Sequence, residues 1–242
     1  MPPAAMAPPH AFPDTRWSRI LAPGGARDLE AIAQLYWRPI RAWFAARLRC
    51  GDDAADDLAQ EAFAWLLASG LLDKADPQRG RFRGFLKRAL ANFAIERARR
   101  AAAHKRGGDV THLALADGSE PVDTATPTPD EALDAAWRRE LLERAHDQLR
   151  REHEGTPRAV RYRLFRDYFL DENSVDGDAA APTHATLAAR HGCTTTDVGN
   201  WLDATKRRYR TILRQLVADT VTREDELAEE LRWLFGDGGA AS

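Results

Sequence analysis

The sequence predicts an all-α protein of two small helical domains joined by a flexible acidic linker, the second domain containing a helix-turn-helix. Three observations predict it. Almost every apolar series repeats at steps of three and four residues, and no run alternates apolar with polar as a half-buried strand would. A stretch rich in Gly, Asp, Thr and Pro, 107–127, interrupts that periodicity and holds too few large apolar residues to build a core. Charge is segregated, although the formal net charge is only −2: 79–106 carries ten Lys or Arg against the single acid Glu96, whereas Asp109 to Asp134 carries seven acids and no Lys or Arg.

The first helix is expected over Leu29 to Leu48, with Ile32, Leu35, Tyr36, Ile40, Trp43, Phe44 and Leu48 along one side and Gly51 ending it. The second runs from about Asp53, turns Leu58, Ala62, Phe63, Leu66 and Leu67 inward, and stops near Gly70. A turn at Asp76-Pro77 leads to a third helix from about Arg81, whose seam of Phe82, Phe85, Leu86, Ala89, Leu90, Phe93 and Ala94 is the clearest in the chain. After the linker, Thr128-Pro129-Asp130-Glu131 restarts helix: threonine caps free amides, proline fits the first turn and glutamate reaches back. That helix is expected to end near Glu154, and another covers Arg158 to Leu170. A polar loop, Asp171 to Pro182, precedes two helices split at Gly192, and an amphipathic stretch, Glu224 to Phe235, closes the series.

The domain organisation that follows is an amino-terminal extension (1–26), a helical domain (27–106), the linker (107–127), a second helical domain (128–236) and a short tail (237–242). With 44% hydrophobic and 30% charged residues the chain reads as soluble and globular. No segment has the apolar length of a membrane span, and the start of the chain lacks the basic and apolar regions of an export signal, so a cytoplasmic protein is expected. Cys50 and Cys193 form no metal-binding or disulfide spacing and are read as reduced and buried.

In HATLAARHGCTTTDVGNWLDATKRRYR, Ala188 lets two helices cross closely, Gly192 supplies a positive φ, and Val198 and Trp201 pin the second helix to the first. Thr194 with Asp197 three residues on repeats the capping pattern, so the second helix begins at about Thr195. Its outward face carries Thr195, Thr196, Gly199, Asn200, Asp203, Lys206, Arg207 and Arg210. The polar residues at its start suit base edges in a major groove, while Lys206, Arg207, Arg208 and Arg210 suit phosphates.

In the first domain, Asp53, Asp57, Gln60 and Glu61 share a face opposite Leu58, Ala62 and Leu66. Taken alone, this stripe also fits a solvated helix face. On the third helix, Arg81, Arg83, Lys87, Arg88, Asn92, Arg97, Arg99 and Arg100 lie away from the aromatic seam and form a phosphate track with one amide in it.

The runs YWRPIRAWFAARLR, DDAADDLAQEAFAWLL and RGRFRGFLKRALANFAIERARRAAAHKRGG resemble the second conserved region of sigma-70-type factors, most closely the extracytoplasmic-function (ECF) group. Trp17 in TRWSRILA is similar to an amino-terminal extension found in a subset of that group. The resemblance implies a sigma factor that brings core RNA polymerase to promoter DNA, melts it and starts transcription. It implies that Asp56, Asp57, Leu58, Gln60, Glu61 and Phe63 dock on a coiled coil of the polymerase largest subunit, and that the third helix holds a base pulled from the stack. An anti-sigma factor is a possible partner in such a system, and the acidic linker would thread toward the polymerase cleft.

No cofactor, metal site or catalytic residue is expected. The chain has no nucleotide-binding Gly-x-x-x-x-Gly-Lys-Ser/Thr loop, so strand opening must draw on binding energy. A nuclease using the Asp cluster with His184 or His191 finds no support in ligand spacing. The alternative is a stand-alone helix-turn-helix regulator that binds DNA without polymerase, a reading that leaves the acidic stripe and the second basic helix without a purpose.

Overall fold

The structure is a computed structural model that describes residues 26–72, 81–105, 126–169, 182–221 and 223–235. Among the described residues there are eight helices and no strand: α1 (Ala26–Leu48), α2 (Asp52–Ala68), α3 (Phe82–Lys105), α4 (Pro129–His153), α5 (Ala159–Phe169), α6 (His184–His191), α7 (Thr195–Ala218) and α8 (Glu224–Phe235). The amino-terminal extension with Trp17, the turn at Asp76-Pro77, most of the linker, nearly all of the loop from Asp171 and the tail lie outside the described residues, as does the side chain of Ile32.

Two compact units emerge: Met1–Glu140 with Val217–Ser242, and Leu141–Leu216. The division runs through α4, and α8 falls with the first unit, because the start of α4 finds charged partners on α1 and α3 while α8 finds its partners at Arg81 and Arg83 and on the start of α4. Trp43 Nε1 donates to Asp130 Oδ1 at 3.1 Å, Lys87 Nζ lies 2.9 Å from Asp134 Oδ2, and Arg83 Nη2 is 2.8 Å from both oxygens of Glu230.

The core of the first unit follows from the seam on α3. Phe82, Leu86, Leu90 and Phe93 are buried against Tyr36, Ile40 and Phe44 of α1 and Leu58, Ala59, Ala62 and Leu66 of α2. Each large apolar side chain so buried contributes about 1.5–3 kcal/mol, which explains how α1 continues through Pro39, a residue that removes an interior hydrogen bond. Phe82 meets Tyr36 edge-on at 4.9 Å, whereas Phe85 is only half-buried. The end of α1 differs from the expectation. Arg49, not glycine, takes the positive φ of 49°, and Gly51 with φ −70° becomes the N-cap residue of α2. Asp52 and Asp53 then lie in the first turn, where the helix dipole favours acids.

The second unit packs Leu141, Ala145 and Leu149 with Tyr162, Leu164 and Phe165, and with Leu187, Ala188, Val198, Leu202, Ile212 and Leu213. Its turns are built as their residues dictate. Gly192 takes φ 65°, its amide donates to Ala188 O, and Cys193 N follows to the same carbonyl at 3.1 Å. Thr194 and Asp197 cap reciprocally, Asp197 N donating to Thr194 Oγ1 and Thr194 N to Asp197 Oδ2, both at 3.1 Å. These bonds hold the Asp197 carboxyl below its ordinary range. The same box closes α4 at Thr128 and Glu131, at 2.8 and 3.2 Å.

Two expectations are corrected here. Trp201 is half-exposed beneath the Arg161 guanidinium, 5.7 Å from its ring centroid, and Leu202 is the buried residue that pins α7 together with Val198. Cys50 and Cys193 are free but half-buried, since one follows the end of α1 and the other lies in the turn after α6.

Candidate nucleic-acid interface

On α2, Asp57, Gln60 and Glu61 are exposed, as are Asp52 and Asp53. Asp56 is half-buried, and with Asp52 it holds the Arg41 guanidinium, at 3.0 and 2.7 Å. Leu58, grouped with this stripe in the sequence, is 4% exposed and belongs to the core, because it lies on the α2 face that meets the α3 seam. Phe63 is half-buried and stacked on Trp37. Leu67, expected on the inward face of α2, is instead 58% exposed, because the α2 face that meets the core is set by Leu58, Ala62 and Leu66; Trp37 was not singled out by the sequence.

The eight basic and amide candidates on α3 separate into two groups. Toward the carboxy-terminal half, Arg88, Asn92, Arg99 and Arg100 are exposed. Arg97 is half-buried and donates from Nε to Glu61 Oε2 of α2 at 2.9 Å, while Arg100 lies 3.5 Å from Glu96. Beside them opens a cavity of about 450 Å³ lined by Trp65, Ser69, Leu71, Asn92, Ile95, Glu96 and Arg99. It offers an indole, an amide, a carboxylate and a guanidinium, the groups that stack on and hydrogen-bond a planar polar ring.

At the amino-terminal end the arrangement is different. Arg81 pairs with Glu229 and, at 3.0 Å, with Glu230; Lys87 pairs with Asp134. Arg83 is 8% exposed, its guanidinium 4.4 Å from the Trp137 ring centroid and 4.5 Å from that of Trp233. These three residues therefore do not continue the open phosphate track expected of them, since acids of α4 and α8 already occupy their donors.

In the second unit, Thr195, Thr196, Asn200, Asp203, Lys206 and Arg207 are exposed along α7, and Gly199 and Arg210 are half-exposed. Arg208 turns away from this row into a two-pronged pair with Glu152 of α4, at 2.7 and 2.6 Å, which lowers the Glu152 carboxyl's pKa. Lys206 Nζ lies 5.8 Å from the Phe169 ring centroid. The α6 helix is anchored to α5 by Asp167, which accepts from Arg166 at 2.9 Å and faces His191 Nε2 at 2.9 Å and Arg190 at 3.5 Å. Burial would raise the Asp167 carboxyl, but the bonds from Arg166 and His191 together outweigh it and hold the group below its ordinary value.

Among the described residues no group of three or more His, Cys, Asp or Glu is arranged to hold a metal ion.

A family model described as ECF sigma factor matches residues 21–176, well over half of the chain. The matched span covers α1 to α5 and ends before α6 and α7. No curated protein and no solved structure matches the chain.

Proposed function

The chain belongs to the ECF sigma factor family and is a sigma factor of transcription initiation, and from that premise we propose that its first unit docks core RNA polymerase and holds an opened promoter strand while the start of α7 reads promoter duplex. Factors of this family partner with core polymerase and promoter DNA, and often with anti-sigma factors; the family is one of transcription factors and not of enzymes. Action on promoter DNA supports a cytoplasmic site of work; no helix among the described residues is long and apolar enough to cross a membrane.

The cavity beside Asn92 carries the reading. Pulling a base from the stack costs a few kcal/mol, and a stacking platform returns about 1–3 kcal/mol per base. A space of about 450 Å³ lined by Trp65, Asn92 and Arg99 supplies stacking, an amide for the base edge and a cation for the backbone. Arg88 and Arg99, both exposed, extend it as phosphate contacts. The exposed carboxylates and amide of α2 next to the Trp37–Phe63 edge have the mixed polar and aromatic character of a docking patch for a basic coiled coil. The polar start of α7, exposed from Thr195 to Asn200 except at the buried Val198 and the half-buried Asp197 and Gly199, fits base edges in a groove, and Arg207 fits phosphates.

Reconstitution with core polymerase and run-off transcription on a genomic library tests this. Transcript starts that share two upstream elements are expected. Binding to core without starts would leave only the docking role, and no binding would favour the stand-alone regulator.

A further inference from the structure

We propose that α8 is an acidic cap that withholds the amino-terminal end of α3 from nucleic acid and must be displaced before that end can contact a promoter strand. The inference rests on the reading of α3 as a nucleic-acid face. Three cations that the sequence places on that face are matched inside the first unit by four carboxylates: Arg81 by Glu229 and Glu230, Arg83 by Glu230 and Asp134, Lys87 by Asp134 and, at 3.9 Å, by Asp130. A phosphate binding Arg81 or Arg83 has to displace Glu229 and Glu230, both of its own sign, and the exposed Glu229 stands at the solvent edge.

Aromatic contacts hold the cap in place. Trp233 of α8 packs against Trp137 with ring centroids 5.9 Å apart. It receives two cations, Arg83 and, at 4.1 Å, Arg138, whose Nη2 also donates to Trp233 O at 3.5 Å.

The same cluster shows why the cap can open. Two buried polar atoms within it, Arg83 Nη1 and Asp134 Oδ1, lie 3.2 Å apart without hydrogen-bond geometry. A buried polar network satisfied only in part gives little net stability, since desolvation offsets most of the attraction. The Arg81–Glu229 pair sits at the solvent edge, with 30% and 54% of the two side chains exposed, and is the natural place for a competing polyanion to enter. At 12 residues α8 is also too short to persist as a helix by itself once undocked.

The test uses the full-length chain with Glu229→Gln/Glu230→Gln, without polymerase, binding a fluorescent single-stranded oligonucleotide over a salt series. The variant is expected to bind about tenfold tighter at low salt, with a salt slope steeper by about 1.4 as two further phosphates are engaged. Adding Arg81→Ala should remove about half of the gain. A control with the same change in net charge, Asp147→Asn on α4 with Glu154→Gln just after its end, should stay within about twofold of wild type. Unchanged or weaker binding by a variant with wild-type helicity overturns the proposal. If the double variant loses its fold, Glu229→Gln alone decides: its carboxylate is exposed, and about a threefold gain supports the cap while none rejects it. Run-off transcription by the wild-type chain with core polymerase separates the two readings. Starts without any gain in the glutamine variants reject the cap alone, whereas neither starts nor core binding reject the proposed function.

Discussion

Trp37 lies flat against Phe63, ring centroids 5.7 Å apart and planes 10° from parallel, which fixes an aromatic edge one turn from Gln60 and two from Asp57 on α2. Asp57→Ala with Gln60→Ala is therefore expected to weaken binding to core polymerase by about 1–3 kcal/mol. Both side chains are exposed, so unfolding should shift by less than about 0.5 kcal/mol. Fluorescence anisotropy against core polymerase, with circular dichroism as the control, measures both; unchanged affinity at intact helicity rejects the docking assignment.

On α7, Arg207 and Asn200 should separate affinity from preference. Arg207→Ala is expected to weaken duplex binding across all sequences and to reduce the salt slope by about 1, whereas Asn200→Ala changes which upstream sequence is favoured. Binding to a randomised duplex pool at two salt concentrations reads both effects. If neither affinity nor preference moves, α7 is not the recognition helix.

Two glycines should respond with opposite signs to one substitution. Gly192 holds φ 65° at the turn between α6 and α7, so Gly192→Ala should cost about 1–2 kcal/mol. Gly199 is inside α7, where an added Cβ would come no closer than 3.9 Å to His184, an ordinary contact. Gly199→Ala should then stabilise the unit by up to about 1 kcal/mol while leaving the backbone less able to approach a base edge. Urea midpoints give the two signs, and equal signs would contradict this account of the turn.

Acid should loosen the second unit through Asp167. Its carboxyl is held below the ordinary value, so its stabilising contribution is complete above the unfolded-state pKa of about 4 and is lost as pH falls through the lower folded value. Asp167→Asn should cost about 1–3 kcal/mol at neutral pH, because Arg166, Arg190 and His191 lose their shared partner. The variant's stability should also fall less steeply than that of wild type below about pH 4. Parallel pH profiles from urea titrations would show that Asp167 is not the titrating anchor.

The parts of the fold legible in the sequence are those set by neighbours along the chain. The α3 seam, the reciprocal boxes at Thr128 and Thr194 and the left-handed glycine at Gly192 all depend on residues a few positions apart, and local spacing reveals them. The burial of Arg83 does not, because its partners Trp137, Glu230 and Trp233 stand far along the chain and on different helices. Counting charge on one face of α3 treats Arg83 and Arg88 alike, and only tertiary packing buries the first and exposes the second. Leu58 and Trp201 mark a smaller limit. Periodicity gives the face of a helix to within about one residue, and one position separates Trp201 from the buried Leu202.

The indoles of Trp137 and Trp233 sit 5.9 Å apart with planes inclined at 44°. Two identical chromophores at that spacing and angle share their excitation, and a chiral pair of this kind gives a signed couplet in circular dichroism at the strong far-ultraviolet band of indole. The protein thus carries its own optical gauge. The couplet is present while α8 rests on the first unit and collapses when it leaves, so the position of that helix can be followed during polymerase binding with no label attached.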